Sequence, residues 1–203
     1  AVNFEYFKDL NFLKATQGIA IIKSRNIRIE FNKLEVDQKK NILRAYDDVK
    51  ICDIKKKLII DTNTITYNRN TNNIKSKTNS ILRDRFKNIL QTKYFNYDLN
   101  ENIIKVNDAN LKDPESNNIK IEIAYLNTIS NKLYGKDVVI DLNNQSFNEM
   151  NEPRIKGNSI IYDNENTEIT KGVFTTCKKR NGKCPPWVLS AKKVQHDKEN
   201  KLI

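Results

Sequence analysis

The chain has 203 residues, 36 Lys and Arg against 25 Asp and Glu, a formal net charge of +11 and 38% hydrophobic residues. That length holds one domain with a real core or an elongated sheet, and no apolar run approaches the roughly twenty residues that span a bilayer as a helix. The positive balance points to nucleic acid, anionic lipid or a phosphorylated substrate as partner and does not choose among them.

Val, Ile, Phe, Tyr and Thr recur in short runs punctuated by only four prolines and five glycines, which favours strands over helices. Taken in order, Ala15, Gly18 and Ile21 lie in a first alternating run, and Ile27, Ile29 and Phe31 alternate with Asn26, Arg28 and Glu30. Period two of this kind sets each apolar trio on one sheet face. Residues 37–41 are a polar turn; Ala45, Val49 and Ile51 then resume the alternation, with Cys52 out of phase and facing away. Further turns at 68–72 and 98–102 repeat the pattern at a spacing of roughly thirty residues. Asp and Asn cap their own backbone and tolerate left-handed conformations, so these clusters are turns for a physical reason. Residues 79–90 come closest to helical spacing and fall short of three turns.

Beyond the Pro114 loop, Ile119, Ile121 and Ile123 alternate with Lys120 and Glu122. Residues 141–153, a polar stretch holding the single Met150, mark a candidate boundary between 1–150 and 151–203. Ile160 and Tyr162 precede a turn at 163–167; Lys171-Gly172-Val173-Phe174 and the Trp187, Leu189, Ala191 alternation lead to a last turn at 197–201.

The expected fold is all-β: an open antiparallel jellyroll of about fourteen to sixteen short strands, stacked hairpin on hairpin, elongated and twisted, with one apolar face folded inward as a trough. Alternation assigns to that face Ile27, Ile29, Phe31, Val36, Val49, Ile51, Ile60, Ile121, Ile123, Val138, Ile140, Ile160 and Tyr162. The ordinary reading of such a face is the closed core of a β-sandwich.

Three pieces near the end stand in order: Pro153-Arg154 with Gly157, Phe174-Thr175-Thr176-Cys177, and Pro185-Pro186-Trp187 followed by His196-Asp197. With the repeated hairpin they resemble the periplasmic part of the LPS-assembly protein family, LptD, also called OstA. The resemblance implies transport without chemistry in the periplasm, next to an outer-membrane barrel absent from this chain. Lipopolysaccharide would arrive from an LptA-like bridge protein, joined by strand addition to an edge expected between Leu10 and Phe31. Its lipid A acyl chains would slide along the trough toward the barrel and its plug lipoprotein. Moving such chains through water needs a continuous apolar path, since each CH₂ carries about 0.8 kcal/mol of transfer free energy.

The three cysteines are Cys52, Cys177 and Cys184. By the resemblance, Cys177 matches the jellyroll cysteine that pairs with one in the barrel. Cys184, seven residues on, is also placed to close a local ring with Cys177, so both connectivities stand. One histidine and scattered cysteines do not make a zinc site, and no cofactor is implied. His196-Asp197 lacks a nucleophile at a matching spacing and no glycine-rich phosphate loop is present, so no catalytic residue is assigned. Two other readings compete. One is a soluble LptA-like bridge built of the same repeat; the other is a basic β-rich nucleic-acid binder, which the lack of paired aromatics beside Lys55-Lys56-Lys57 disfavours.

Overall fold

A computed structural model describes residues 1–143, 151–179 and 185–197. These form one antiparallel sheet of 15 strands. In chain order they are β1 (Asn3–Phe7), β2 (Phe12–Ile22), β3 (Ile27–Asp37), β4 (Ile42–Asp53), β5 (Leu58–Asn68), β6 (Asn73–Ser76), β7 (Ser80–Arg83) and β8 (Ile89–Thr92). Then come β9 (Tyr94–Asp98), β10 (Ile103–Lys112), β11 (Asn118–Asn127), β12 (Leu133–Asp141), β13 (Arg154–Tyr162), β14 (Asn166–Thr175) and β15 (Leu189–Asp197). Two single 3₁₀ turns, Lys8–Leu10 and Lys23–Arg25, are the helical pieces among the described residues.

Pairing follows chain order from β1 to β6 and from β9 to β15, with β6 beside β9; β7 and β8 pair with each other and fill the gap between the far halves of β5 and β10. β6 with β7, and β8 with β9, are thus halves of two long strands, and the meander is unbroken. It is the all-β antiparallel jellyroll that the alternation implies. Residues 79–90, nearest to helical spacing, form the β7–β8 hairpin instead, because Leu82 opposite Leu90 puts two leucines on the inner face. The sheet also runs across residues 142–153, since β12 pairs with β13 from Asp141↔Arg154 to Leu133↔Tyr162.

Each turn solves the same problem in the same way. Left-handed residues recur every 14 to 16 positions, at Asn11, Asn26, Asn41, Lys57, Asn72, Lys87, Asn102, Ser116 and Asn131, one per strand and so two per hairpin. An Asp or Asn opens nearly every turn and accepts backbone N–H groups with its side-chain oxygen, as Asp37, Asp53, Asn68, Asp84, Asp98, Asp113, Asn127 and Asp163 do. Turns at one end also stack: Gln38 N donates to Asn11 O at 2.9 Å, Arg69 N to Asn41 O at 2.9 Å, Leu99 N to Asn72 O at 3.0 Å and Thr128 N to Asn102 O at 2.8 Å. The edge of the sheet is therefore itself a hydrogen-bonded ladder, which accounts for the regular spacing.

A second series of left-handed residues lies in mid-strand: Gln17, Asp47, Asp48, Asp108, Asp137 and Lys171. They stand on β2, β4, β10, β12 and β14, at the level where the inward alternation is broken on those strands and on the strands paired with them. Phe31 is followed inward by Leu34, Val106 by Ala109 and Ile121 by Ala124, three positions instead of two. Register breaks between Glu30 and Lys33 and between Tyr46 and Val49 fall at the same level. Such bulges bend a strand sharply. Because neighbouring strands bend at the same level, the sheet creases along a line and its two halves pack apolar face to apolar face. On β12 the inner corner position is Gly135, where a Cβ would come within 2.6 Å of Ile121 Cγ2 and 2.8 Å of Ile160 Cγ2.

Two tests follow from turn and crease. Asp163 would be raised by its burial, but the N–H groups of Asn166 and Glu165 and the charge of Lys132 outweigh this and hold its carboxyl below the usual range. Its contribution to stability is complete above the ordinary carboxylate pKa of about 4 and is lost as pH falls through the lower folded value. Thermal melts between neutral and acid pH should therefore fall less steeply for Asp163→Asn. At the crease, Asp108→Gly should leave the urea midpoint nearly unchanged, whereas Asp108→Val, β-branched at a φ of 49°, should cost about 1–2 kcal/mol.

Candidate functional site

The crease leaves the tips of one half-sheet facing the tips of the other. Turns at 23–26, 54–57, 84–88 and 113–117 form one lip; turns at 99–102, 128–132 and 163–165 form the facing one. No backbone hydrogen bond crosses this seam among the described residues. It is closed by side chains instead. Asp53, 2% exposed, accepts from Tyr97 Oη at 2.8 Å, and Lys56 Nζ donates to that Oη at 2.5 Å and to Asn102 Oδ1 at 2.7 Å. Arg25 reaches across to Asn100 Oδ1 at 2.6 Å, and Tyr162 Oη donates to Asn88 Oδ1 at 2.8 Å. Burial lowers the Lys56 pKa against the pull of Asp53, and burial raises those of Tyr97 and Tyr162. Neutral tyrosines are thus kept as hydrogen-bond donors at the seam.

Beneath the seam the interior is mostly apolar, with a buried polar cluster in the middle of the sheet where Ser80 Oγ donates to Thr62 Oγ1 at 2.8 Å, Thr62 Oγ1 meets Ser76 Oγ at 2.9 Å and Thr92 Oγ1 donates to Tyr94 O at 2.8 Å. Ile27, Ile29, Phe31, Val49, Ile51, Ile60, Ile121, Val138, Ile140, Ile160 and Tyr162 are all inward and no more than 6% exposed. Val36 is half-buried against them. Ile123 is not inward: the extra residue at the β11 bend passes that position to Ala124, leaving Ile123 half-buried outside the core. The trough expected to lie open is packed with side chains, because two apolar faces hinged along a crease close on each other in water. Small spaces persist along the seam, one lined by Leu58, Leu82, Leu90, Leu111, Leu126 and Leu133, another by Ile140, Leu142, Ile155 and His196. A wider cleft lies outside, over the crease, lined by Glu30, Asp48, Asp61, Asp108, Lys50 and Lys93. Its charges are of both signs and partly paired, Lys93 to Asp108 at 3.5 Å and Asp61 to Arg83.

Among the described residues the sheet has two free edges, β1 with part of β2 and β15. At the amino end the edge is β1 with Ile19–Ile22 of β2, because β1 covers Phe12–Thr16 and the two residues before it lie against Gln17 and Gly18, Val2 N donating to Gln17 O at 3.1 Å. Ile27–Phe31 of β3 lies inside the sheet, between β2 and β4, so the edge expected between Leu10 and Phe31 is confined to its β2 part and extends back to β1. Phe4, Leu10 and Ile21 there are 63%, 65% and 62% exposed.

The motif pieces near the carboxyl end come together. Glu152 N donates to Thr176 O at 2.9 Å, Arg154 Nη1 donates to the carbonyls of Glu152 and Cys177, and Lys179 N donates to Glu152 Oε2 at 2.6 Å. Thr175 Oγ1 donates to Trp187 O at 2.9 Å, and the Phe174 and Trp187 rings meet edge to face at 6.1 Å. Cys184 lies outside the described residues, as does the rest of the turn after Asp197. Cys52 faces outward opposite Arg28 and Ile59, half-buried, and burial pushes its thiol pKa up.

The Asp53, Lys56, Tyr97 and Asn102 cluster has almost no signature in the sequence. Its one local signal is the Asp53–Lys56 spacing within a turn; the partners lie more than forty positions away.

No family model matches this sequence, and no curated protein does. Among solved structures the chain is similar to LptH, described as the LptA homologous periplasmic component of the conserved lipopolysaccharide transport device from Pseudomonas aeruginosa. The two share 16% identity over 56% of this chain and 84% of that one, with a TM-score of 0.48. At that level the likeness says nothing of what this chain binds.

Tyr97→Phe should destabilise the fold by about 1–3 kcal/mol, because it strips a buried carboxylate of its donor. Arg25→Ala, at the solvated rim, should stay within about 0.5 kcal/mol. Chemical denaturation of both variants checks the ranking, and equal losses would show that Tyr97 does not close the seam.

Proposed function

We propose that this chain is a periplasmic lipopolysaccharide-binding module of an LPS-assembly protein, taking the lipid's acyl chains between its half-sheets and handing the lipid on to an outer-membrane barrel. One observation carries this reading: a mostly apolar interior repeated from strand to strand beneath a seam that, among the described residues, only side chains close. The amphiphile this geometry suits is one with several chains, because the inner face continues from Ile27 on β3 to Ile169 on β14.

The motif cluster around Arg154, Cys177 and Trp187 supports placement beside the barrel and its plug lipoprotein, attached to the outer membrane. Cys177 is then the residue for a bond to the barrel. The apolar free edge of β1 and β2 suits strand addition from an LptA-like bridge protein. A second reading, a soluble bridge of the same repeat, is favoured by the outer sides of both β1 and β15 being unpaired among the described residues.

Photo-crosslinking residues should decide the central point. At Ile29 or Ile121, which face inward, they should capture lipopolysaccharide in cells; at Arg28 or Lys120, which face out, they should not. Equal capture at inward and outward positions would reject the interior as the path.

A further inference from the structure

The lysines that look scattered along the sequence are gathered by the topology. A hairpin repeat of about thirty residues puts every second turn at the same end, so the turns at 23–26, 54–57 and 84–88 lie side by side on one lip. Ile54 N donates to Asn26 O at 3.3 Å, and Ile59 on β5 pairs with Arg83 on β7. This aligns Lys23 and Arg25, Lys55 through Lys57, and Arg85 and Lys87.

The charge is not neutralised locally. Asp53 is buried beneath the lip and engaged by Tyr97 and Lys56, and Asp84 accepts from Phe86 N, Asn88 N and Asn88 Nδ2. Lys23, Lys55, Lys57 and Lys87 are exposed and have no acidic partner among the described residues. Nor does the pattern continue. The next turn on that lip, 113–117, carries Asp113 and Glu115 and no basic residue, and the facing turn 99–102 carries Glu101 alone. Directly under the basic turns lie Ile27 and Leu99 at one position and the leucines around Leu58 and Leu82 at the next.

We propose that these three turns are a recognition site for the phosphate groups of an amphiphile whose chains enter the seam below them. The proposal rests on the lipid-binding reading above and adds to it where the headgroup sits and which way round the lipid lies. Ammonium and guanidinium groups are the natural partners of phosphate. Exposed and without carboxylate partners among the described residues, Lys23, Lys55, Lys57 and Lys87 are open to a ligand of that charge. Nucleic acid would meet the same charge but gains nothing from the apolar seam.

The test uses the full chain, with lipid A and fully dephosphorylated lipid A as probes in neutral detergent micelles. The variants are Lys55→Gln with Lys57→Gln and Lys87→Gln, and a control of equal charge loss, Lys75→Gln with Lys120→Gln and Lys156→Gln, all solvent-exposed. The native chain should prefer the phosphorylated lipid. The lip variant should lose about tenfold in affinity for it and nothing for the dephosphorylated lipid, while the control stays near native. Equal binding of both lipids by the native chain, or equal losses in lip and control variants, overturns the phosphate site and leaves lipid binding standing. Binding of neither lipid overturns both, and tight oligonucleotide binding lost in the lip variant, with no preference between the lipids, assigns the lip to nucleic acid instead.

Discussion

An extra residue in the middle of strand after strand is the constraint on which the rest depends. A flat meander of this length would expose one apolar face to water from end to end. The mid-strand bulge removes that exposure without cutting the ladder: on β2, β4, β10, β12 and β14 one or two residues go left-handed, the paired strands bend with them, and on most strands the parity of inward positions slips by one. Asp47, Asp48, Asp108 and Asp137 are suited to this because a short carboxylate side chain tolerates positive φ better than a branched one. Since paired strands bend at a common level, the bends line up as a crease, and a single continuous sheet supplies both layers of its own core.

That solution has a consequence on the side opposite the crease. The ladder saturates backbone groups within each half-sheet, and stacked turns such as Arg69 on Asn41 saturate those at the tips. Among the described residues nothing in the backbone ties one row of tips to the other. The seam is therefore held by apolar contact and by isolated side-chain bonds, each contributing on the order of 1 kcal/mol, whereas opening a strand pair would break a run of cooperative bonds. Local opening is drawn from such weak lines. The buried Asp53 fits the same logic. Satisfied by Tyr97 and Lys56 it specifies how the tips meet, but it adds little net stability, because desolvating a charge offsets most of what its partners return.

How much of this could be read from residues follows from which interactions are local. Period-two alternation is local, and all but Ile123 of the residues it assigned to the inner face lie there or against it, although much of the middle of the sheet, such as Ile74, Phe95, Tyr97 and Ile104, was not assigned. Turns marked by clustered Asn and Asp, at 37–41 or 98–102, were equally plain. Those opened by Asp53 and Asp84 were not, since lysine and arginine surround the capping carboxylate. The bend was visible as Ala45-Tyr46-Asp47-Asp48-Val49 but reads as one more alternation until neighbouring strands are set beside it, and so Ile123 was given the inward place that Ala124 occupies. Tyr97 meeting Asp53 and the row of basic turns depend on how the creased sheet twists, and no window of sequence contains both sides. The motif pieces around Arg154 and Thr175 were legible as pieces; their hydrogen bonds were not.

The repeat also bears on how an acyl chain would move, if lipid passage is what the interior serves. The small spaces along the seam are too few to hold an acyl chain in a core with near-zero exposure at Ile29, Ile60 and Ile104, so an entering chain must part the half-sheets and replace contacts they make with each other. Apolar contact is exchanged for apolar contact, which is close to neutral, and the net requirement falls on the side-chain bonds at the seam. Hairpins of similar length and inward composition then offer successive chain positions of similar free energy, each separated by the same local opening. A deep site would bind better and release worse. Uniformity is what passage needs, and a repeated hairpin with a repeated bend supplies it without any one residue being tuned for transfer.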